Sequence, residues 1–245
     1  MKNKPWGAFL YRDYRILWII LVCGSIVVWM RILSTAQWLL DETGSAYLVG
    51  LIGVVQLIVQ IPATLWAGTL ADRVDRKRLI TVGHGITGIT LLSLGLLDSQ
   101  GVLTPTMMYV AIAITAGAHM LASPARSTLV PIIVPKSKLL LAASTDTASQ
   151  NGAAIAGPLL FAIIAFQANL TVIFILSGSI ALVTALLPLC IRVIGKVRDS
   201  KDQELSQVQQ TLNGFSYISK HPILPGLFPV SYTHLRAHET EADLV

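Results

Sequence analysis

The chain has 245 residues, of which 53% are hydrophobic and only 13% are charged, with a mean hydropathy of +0.67 and a net charge of +5. Soluble domains carry about 25% charged residues, so this composition indicates that lipid surrounds most of the chain. The positive charge does not indicate a nucleic-acid-binding protein, because the cations lie between long apolar runs and not on a basic face with polar and aromatic partners.

Six apolar segments are long enough to cross a bilayer, which takes about 20 residues of helix. Helices are required because backbone polar groups find no water in hydrocarbon. The predicted spans are Ile16–Leu40, Ala46–Leu70, Leu79–Leu97, Thr106–Ala122, Leu139–Phe166 and Thr171–Ile191. The predicted fold class is therefore all-α, a polytopic membrane protein with six transmembrane helices. A cleaved signal peptide is the alternative for the first span, since Ser34 and Ala36 resemble a cleavage site, but the apolar region is longer than such a peptide needs.

The positive side chains are distributed unequally between the two sides of the predicted bundle. Of the 18 Lys and Arg residues, all except Arg31 and Arg236 lie before the first span or after spans 2, 4 and 6. The connections on the other side carry no Lys or Arg, and their charged residues are Asp41, Glu42 and Asp98. Because cytoplasmic loops collect Lys and Arg, we expect both termini on the cytoplasmic side.

The connection between spans 2 and 3 has a more specific pattern than orientation requires. Its sequence "GTLADRVDRKRL" resembles the loop signature of major facilitator superfamily transporters, and the "ADRVDRKR" form resembles the branch of bacterial efflux proteins that contains the enterobactin exporter. "TGS" at 43–45, "SPARSTLVP" at 123–131 and "GP" at 157–158 lie where that branch has similar residues. The residues that match the loop signature are Gly68, Asp72, Arg73, Arg76 and Lys77.

The resemblance implies a fold of twelve helices in two halves, of which this chain holds the N-terminal six. The two halves of such transporters rock about a central site, which opens alternately to each side of the membrane. In the family, the matching Asp and Arg form a cytoplasmic gate between the halves. The resemblance therefore implies a non-enzymatic secondary transporter without a cofactor, in the bacterial inner membrane, which exports a small molecule such as a siderophore or a drug-like compound with proton coupling.

Polar side chains inside the spans are candidates for the substrate path. Arg31 is the one Lys or Arg within a span, where contact with lipid would cost at least about 2 kcal/mol, so we expect it to face a cavity or a partner. Snorkelling towards the outer interface is the alternative. The resemblance places helices 1 and 4 along the substrate path. The substrate-path candidates are Arg31, Gln37, Gln56, Gln60 and His119.

Span 5 carries two further features. Asp146 could accept a proton in a coupled exporter, or it could complement the helix dipole in the first turns of the helix. Gly157 and Pro158 resemble the end of a helix-packing motif of antiporters, in which small residues allow close contact and proline allows a kink. The longer glycine pattern that precedes this pair in antiporters is absent, since Ser144 and Ala153 occupy matching positions.

The sequence divides into four parts. Residues 1–194 are the predicted six-helix bundle, and residues 195–222 are a predicted cytoplasmic loop with an amphipathic helix. Residues 223–230 resemble the start of a seventh span, and residues 231–245 resemble a non-native tail. The expected partners are the bilayer, a small-molecule substrate and a missing C-terminal six-helix half.

The sequence lacks the motifs of several other classes of six-span membrane protein. An intramembrane serine protease needs a Gly-x-Ser-Gly motif, which the "SGS" at 177–179 does not provide. No metal site is predicted, because the cysteines and the two late histidines lack the spacing of a ligand set. An intramembrane enzyme of another kind and a homodimeric carrier remain the alternatives.

Overall fold

The computed structural model describes residues 7–192, apart from the side chains of residues 65–73. Over this range the chain forms six α-helices and two short 3-10 helices, Lys136–Lys138 and Leu187–Cys190, with no strand. The α-helices are α1 Arg12–Thr43, α2 Ala46–Arg73, α3 Arg76–Ser99, α4 Pro105–Ile133, α5 Leu139–Gln167 and α6 Leu170–Leu186. The prediction of an all-α fold with six long apolar helices is confirmed.

Local chemistry sets several helix ends. Gly44 ends α1 in a left-handed conformation with φ of 63°, and its N–H donates to the Leu40 carbonyl at 2.8 Å. Glycine adopts this conformation without the steric penalty of a Cβ atom. Thr104 and Asn169 cap the N-termini of α4 and α6, where their side-chain oxygens accept hydrogen bonds from backbone N–H groups.

Two predicted connections are shorter than expected. The loop predicted over "ADRVDRKR" is reduced to Val74 and Asp75, because Asp75 caps α3 by accepting from the Lys77 backbone N–H at 2.9 Å. The fourth helix does not end at Ala122 but continues to Ile133 through Pro124 and Pro131. Transmembrane helices tolerate proline because side chains and neighbouring helices satisfy the freed carbonyls.

The helices pack around two buried apolar clusters. One cluster joins the start of α1 to the ends of α4 and α6 and includes Tyr14, Ile20 and Leu129. The other lies towards the opposite end of the bundle and includes Val27 and Phe174. Along α1, the segment between Ile20 and Val27 therefore runs from one cluster to the other.

Helices α3 and α6 approach one another through glycine. A Cβ atom added to Gly178 would lie 2.9 Å from the backbone nitrogen of Leu92 and 3.0 Å from the Gly88 carbonyl oxygen. Only a residue without a side chain allows backbones this close, which is a common device of membrane helix packing.

The outer surface of the bundle is apolar. Each of the six helices is long and apolar enough to cross a bilayer. Large apolar side chains are exposed on several of them, among them Leu140 at 82% and Phe166 at 92% of their surface. An apolar surface of this extent requires lipid around it, since soluble proteins rarely expose contiguous apolar patches larger than a few hundred Å².

Candidate functional site

A polar cavity of about 360 Å³ lies within the bundle between α1, α3, α4 and α5. Its α1 wall runs from Ile20 to Ile32, so it spans the region between the two apolar clusters. The polar side chains that line it are those of Ser25, Arg31, His84, Thr87, Thr115, His119, Ser123, Arg126, Gln150 and Asn151. Among the described residues, the lining includes two arginines and two histidines but no carboxylate.

Arg31 is the most buried cation of this cavity. The residue exposes 6% of its surface, and its Nη1 atom is buried without a hydrogen-bond partner among the residues that the structure describes. The hydroxyls of Ser34 and Thr35 donate to the Arg31 backbone carbonyl, at 3.2 and 2.8 Å, and do not pair with its guanidinium group. A buried guanidinium nitrogen without an acceptor is costly, because hydrogen bonds to charged groups are among the strongest in proteins.

Two histidines lie near this arginine. His119 on α4 is close enough to Arg31 to interact with it electrostatically, and His84 on α3 interacts in the same way with His119. The His84 ring lies over Gly24 of α1, where an added Cβ would be 2.9 Å from the ring carbon Cε1. Gly24 therefore leaves the space that the ring occupies.

Arg126, at the edge of the same cavity, is held by a buried ion pair. Its Nη1 donates to Oδ2 of Asp146 at 2.8 Å, and the two side chains expose only 12% and 11% of their surface. The Tyr14 hydroxyl donates to the other carboxylate oxygen, Oδ1, at 3.0 Å, and lies 3.1 Å from the Ala142 carbonyl. Asp146 thus joins α1, α4 and α5 beside the cavity. It lies two turns into α5 and not in the first turn, so the helix dipole does not explain its position.

Further contacts fix α5 against α1. The Trp18 Nε1 donates to the Ser149 hydroxyl at 2.7 Å. Gly157 is buried against Trp29, where an added Cβ would come within 2.5 Å of the tryptophan Cβ. The predicted packing glycine thus lies at a helix contact, and Trp29 itself lines the cavity.

The predicted substrate-path residues fall into two groups. Arg31 and His119 line the cavity, whereas Gln37, Gln56 and Gln60 are not among its lining residues. The Gln37 amide instead donates to the Asp41 carboxylate at 2.7 Å on the surface of α1. His84 and Arg126 also line the cavity, although neither is among the predicted substrate-path residues.

The residues of the loop signature are described only in part. The surroundings of Gly68 and the side chains of Asp72 and Arg73 lie outside the described part of the structure. Lys77, at the start of α3, donates from Nζ to the backbone carbonyl of Ile191 at 3.1 Å. This hydrogen bond connects α3 to the residue that follows the 3-10 helix Leu187–Cys190. Arg76 has a buried Nε atom without a hydrogen-bond partner within the described residues.

Six apolar helices around a cavity with charged and polar side chains in its wall define a multi-pass membrane protein. The family model of the Major Facilitator Superfamily matches residues 17–234, and the chain belongs to this superfamily of transporters. The chain is also similar to the "Na(+), Li(+), K(+)/H(+) antiporter" of Planococcus maritimus, with 26% identity over 192 residues. This match covers 78% of the chain but only 43% of the relative, so the chain spans less than half the length of that antiporter.

Proposed function

We propose that this chain is the N-terminal six-helix half of a secondary active transporter that exports a small molecule by alternating access, driven by proton influx. The observation that carries the proposal is the cavity between α1, α3, α4 and α5, which offers polar and charged groups in an otherwise apolar bundle. Ionisable groups inside a membrane bundle are expensive and mark substrate or ion pathways. Membership of the superfamily supports the transport class, and the name of the relative supports an antiport mechanism.

Asp146 is the proposed site of proton coupling. Its carboxylate is buried, faces Arg126 across 2.8 Å and contacts helices on two sides. Protonation would remove the charge that holds Arg126 and would weaken the link between α4 and α5. A proton on Asp146 would therefore change the relative stability of the two states of the transporter, which is the requirement for coupling.

The loop signature is the proposed cytoplasmic gate, with both termini of this half on the cytoplasmic side. The unbonded Nε of Arg76 supports this role, since it leaves a donor for an acceptor outside the described residues. In a protein with both halves, we expect Asp72→Asn to reduce transport with insertion unchanged, and Arg73→Lys to be milder. If Asp72→Asn leaves transport unchanged, the motif only sets the orientation of the chain in the membrane and is not a gate.

We propose that the chain has four parts. Residues 1–194 form the six-helix half, residues 195–222 the loop between the halves, residues 223–230 the start of a seventh span, and residues 231–245 a non-native tail. A second six-helix half completes the transporter, in agreement with the 43% coverage of the relative. The efflux branch that contains the enterobactin exporter remains the proposed subgroup.

Alkali-cation antiport is a second candidate function, because the printed name of the relative gives Na⁺, Li⁺, K⁺ and H⁺ as its ions. Such hard cations bind oxygen ligands, above all carboxylates. The described lining of this cavity includes no carboxylate, and the guanidinium group of Arg31 would repel such cations. Cation transport would therefore require carboxylates from the second half.

A single assay separates these two functions. Everted membrane vesicles that contain both halves are acidified inside, and a pH-sensitive dye reports proton release when a solute is added. We expect little response to Na⁺, Li⁺ or K⁺, and a saturable response to the organic substrate. A saturable response to alkali cations that is lost in Asp146→Asn would favour cation antiport.

A further inference from the structure

We infer that the cavity is an anion site, and that the transported molecules are small organic anions that carry a carboxylate, sulfonate or phosphate group paired with Arg31. This inference rests on the proposed transport function and names its substrate class. Its structural basis is the cavity of about 360 Å³ whose described lining holds two arginines and two histidines without a carboxylate.

The state of Arg31 provides the main argument. The other lining arginine, Arg126, already has the Asp146 carboxylate at 2.8 Å. Arg31 is buried to the same degree as a core residue, yet its Nη1 has no acceptor within the described residues. A guanidinium group presents several donors in a fixed plane that matches a carboxylate, sulfonate or phosphate. An anionic ligand is therefore the group that would satisfy this donor.

The neighbours of Arg31 also favour an anion. His119 and His84 line the cavity, and an imidazole ring has an N–H group that can donate to an anion. Thr87 and Thr115 contribute hydroxyls, although the Thr115 hydroxyl already donates to the Ala111 carbonyl at 2.8 Å. No described lining residue would repel a negative charge, and a cationic ligand would meet Arg31 without a balancing carboxylate.

The cavity has an apolar part that suits an organic body. Trp29, Val28, Ile32 and Leu21 line it beside the polar groups. A volume of about 360 Å³ lies at the lower end of the range of about 300–1,000 Å³ that is usual for small-molecule pockets. Export of such anions agrees with the energetics of a cell, since a membrane potential that is negative inside drives anions outward.

Binding to the purified chain tests the substrate class without requiring transport. The probes are 1-naphthalenesulfonate, the neutral 1-naphthalenesulfonamide of similar shape, and the cationic 1-naphthylmethylammonium ion. Saturation-transfer NMR titrations in nanodiscs give a Kd for each. We expect the sulfonate to bind at least about tenfold more tightly than the sulfonamide, and the cation to bind most weakly, as expected when one charge-assisted hydrogen bond decides the difference.

Variants show whether Arg31 causes the preference. Arg31→Gln should weaken sulfonate binding at least about tenfold while leaving sulfonamide binding nearly unchanged, and Arg31→Lys should restore part of the preference. Arg15→Gln is the matched control, because it removes an equal charge from an exposed position of the same helix. Equal binding of the three probes, preference for the cation, absence of binding by any probe, or a sulfonate preference that survives Arg31→Gln would each overturn the inference. If the complete protein binds the anion but does not transport it, the proposed transport function is refuted and the anion site is not.

Discussion

Removing Asp146 should destabilise the bundle because it leaves Arg126 buried and unpaired. The two side chains are 2.8 Å apart and expose only 12% and 11% of their surface. Breaking a buried ion pair by deleting one partner costs about 3–5 kcal/mol. Asp146→Leu should fall near the lower figure, about 3 kcal/mol, because both side chains keep about a tenth of their surface exposed. Asp146→Asn should lower the free energy of unfolding by about 1–2 kcal/mol, since the neutral amide oxygen can still accept a hydrogen bond from Arg126 or Tyr14.

The assay is equilibrium unfolding in mixed micelles, followed by the fluorescence of the native tryptophans. A double-mutant cycle isolates the ion pair, because Arg126→Met combined with Asp146→Leu replaces both charges by apolar side chains and should be nearly neutral. The cycle should give a coupling energy of at least about 2 kcal/mol. Asp41→Ala, at an exposed position, should change stability by less than about 0.5 kcal/mol. A coupling energy below about 0.5 kcal/mol would mean that the pair does not hold α4 to α5.

Two further predictions concern orientation and packing. In a background without the native cysteines, a cysteine at Thr43 should react with an impermeant thiol reagent from outside. A cysteine at Ser200 should react only after permeabilisation, and its labelling from outside would show that the orientation is opposite to the proposed one. Gly157→Ala should lose about 1–3 kcal/mol in the same unfolding assay, because its Cβ would lie 2.5 Å from the Cβ of Trp29. Gly152→Ala, with no atom within 4 Å of its added Cβ, should be neutral or stabilising by up to about 1 kcal/mol, and an equal loss in both variants would contradict the contact.

The sequence predicted the six helices because their apolar character is strong enough to decide the structure by itself. The start of α2, at Ala46, and the start of α5, at Leu139, agree with the predicted spans. The predicted fourth span, Thr106–Ala122, covers only the apolar part of α4, whereas the helix continues to Ile133 through Pro124 and Pro131. Hydropathy marks the part of a helix that can lie in lipid and does not mark where the helix ends.

The cavity was harder to predict, because apolar residues all round a helix hide which face points inward. Arg31 and Gln37 lie six positions apart, which places them about 120° apart around the helix axis and about 9 Å apart along it. Gln37 accordingly lies on the surface beside Asp41. Hydropathy alone contains no signal for this rotation.

The Arg126–Asp146 pair did leave a signal in the sequence. Arg126 lies eight residues before the C-cap of α4, Val134, and Asp146 lies eight residues after the N-cap of α5, Lys138. Opposite charges at equal distances from a short connection lie at the same depth on antiparallel helices. This spacing could have been recognised once α4 was extended beyond Ala122.

The accessibility of the cavity tests the central claim, that it is the alternating-access path of a transporter. In the protein with both halves, a single cysteine replaces Ser25 in the cavity wall, and an impermeant thiol reagent is applied separately to each side of the membrane. We predict labelling of Ser25 from both sides, and none of a cysteine at Val183, an exposed position of α6, the helix of which no residue lines the cavity. Labelling of Ser25 from one side only, or from neither, would contradict the account.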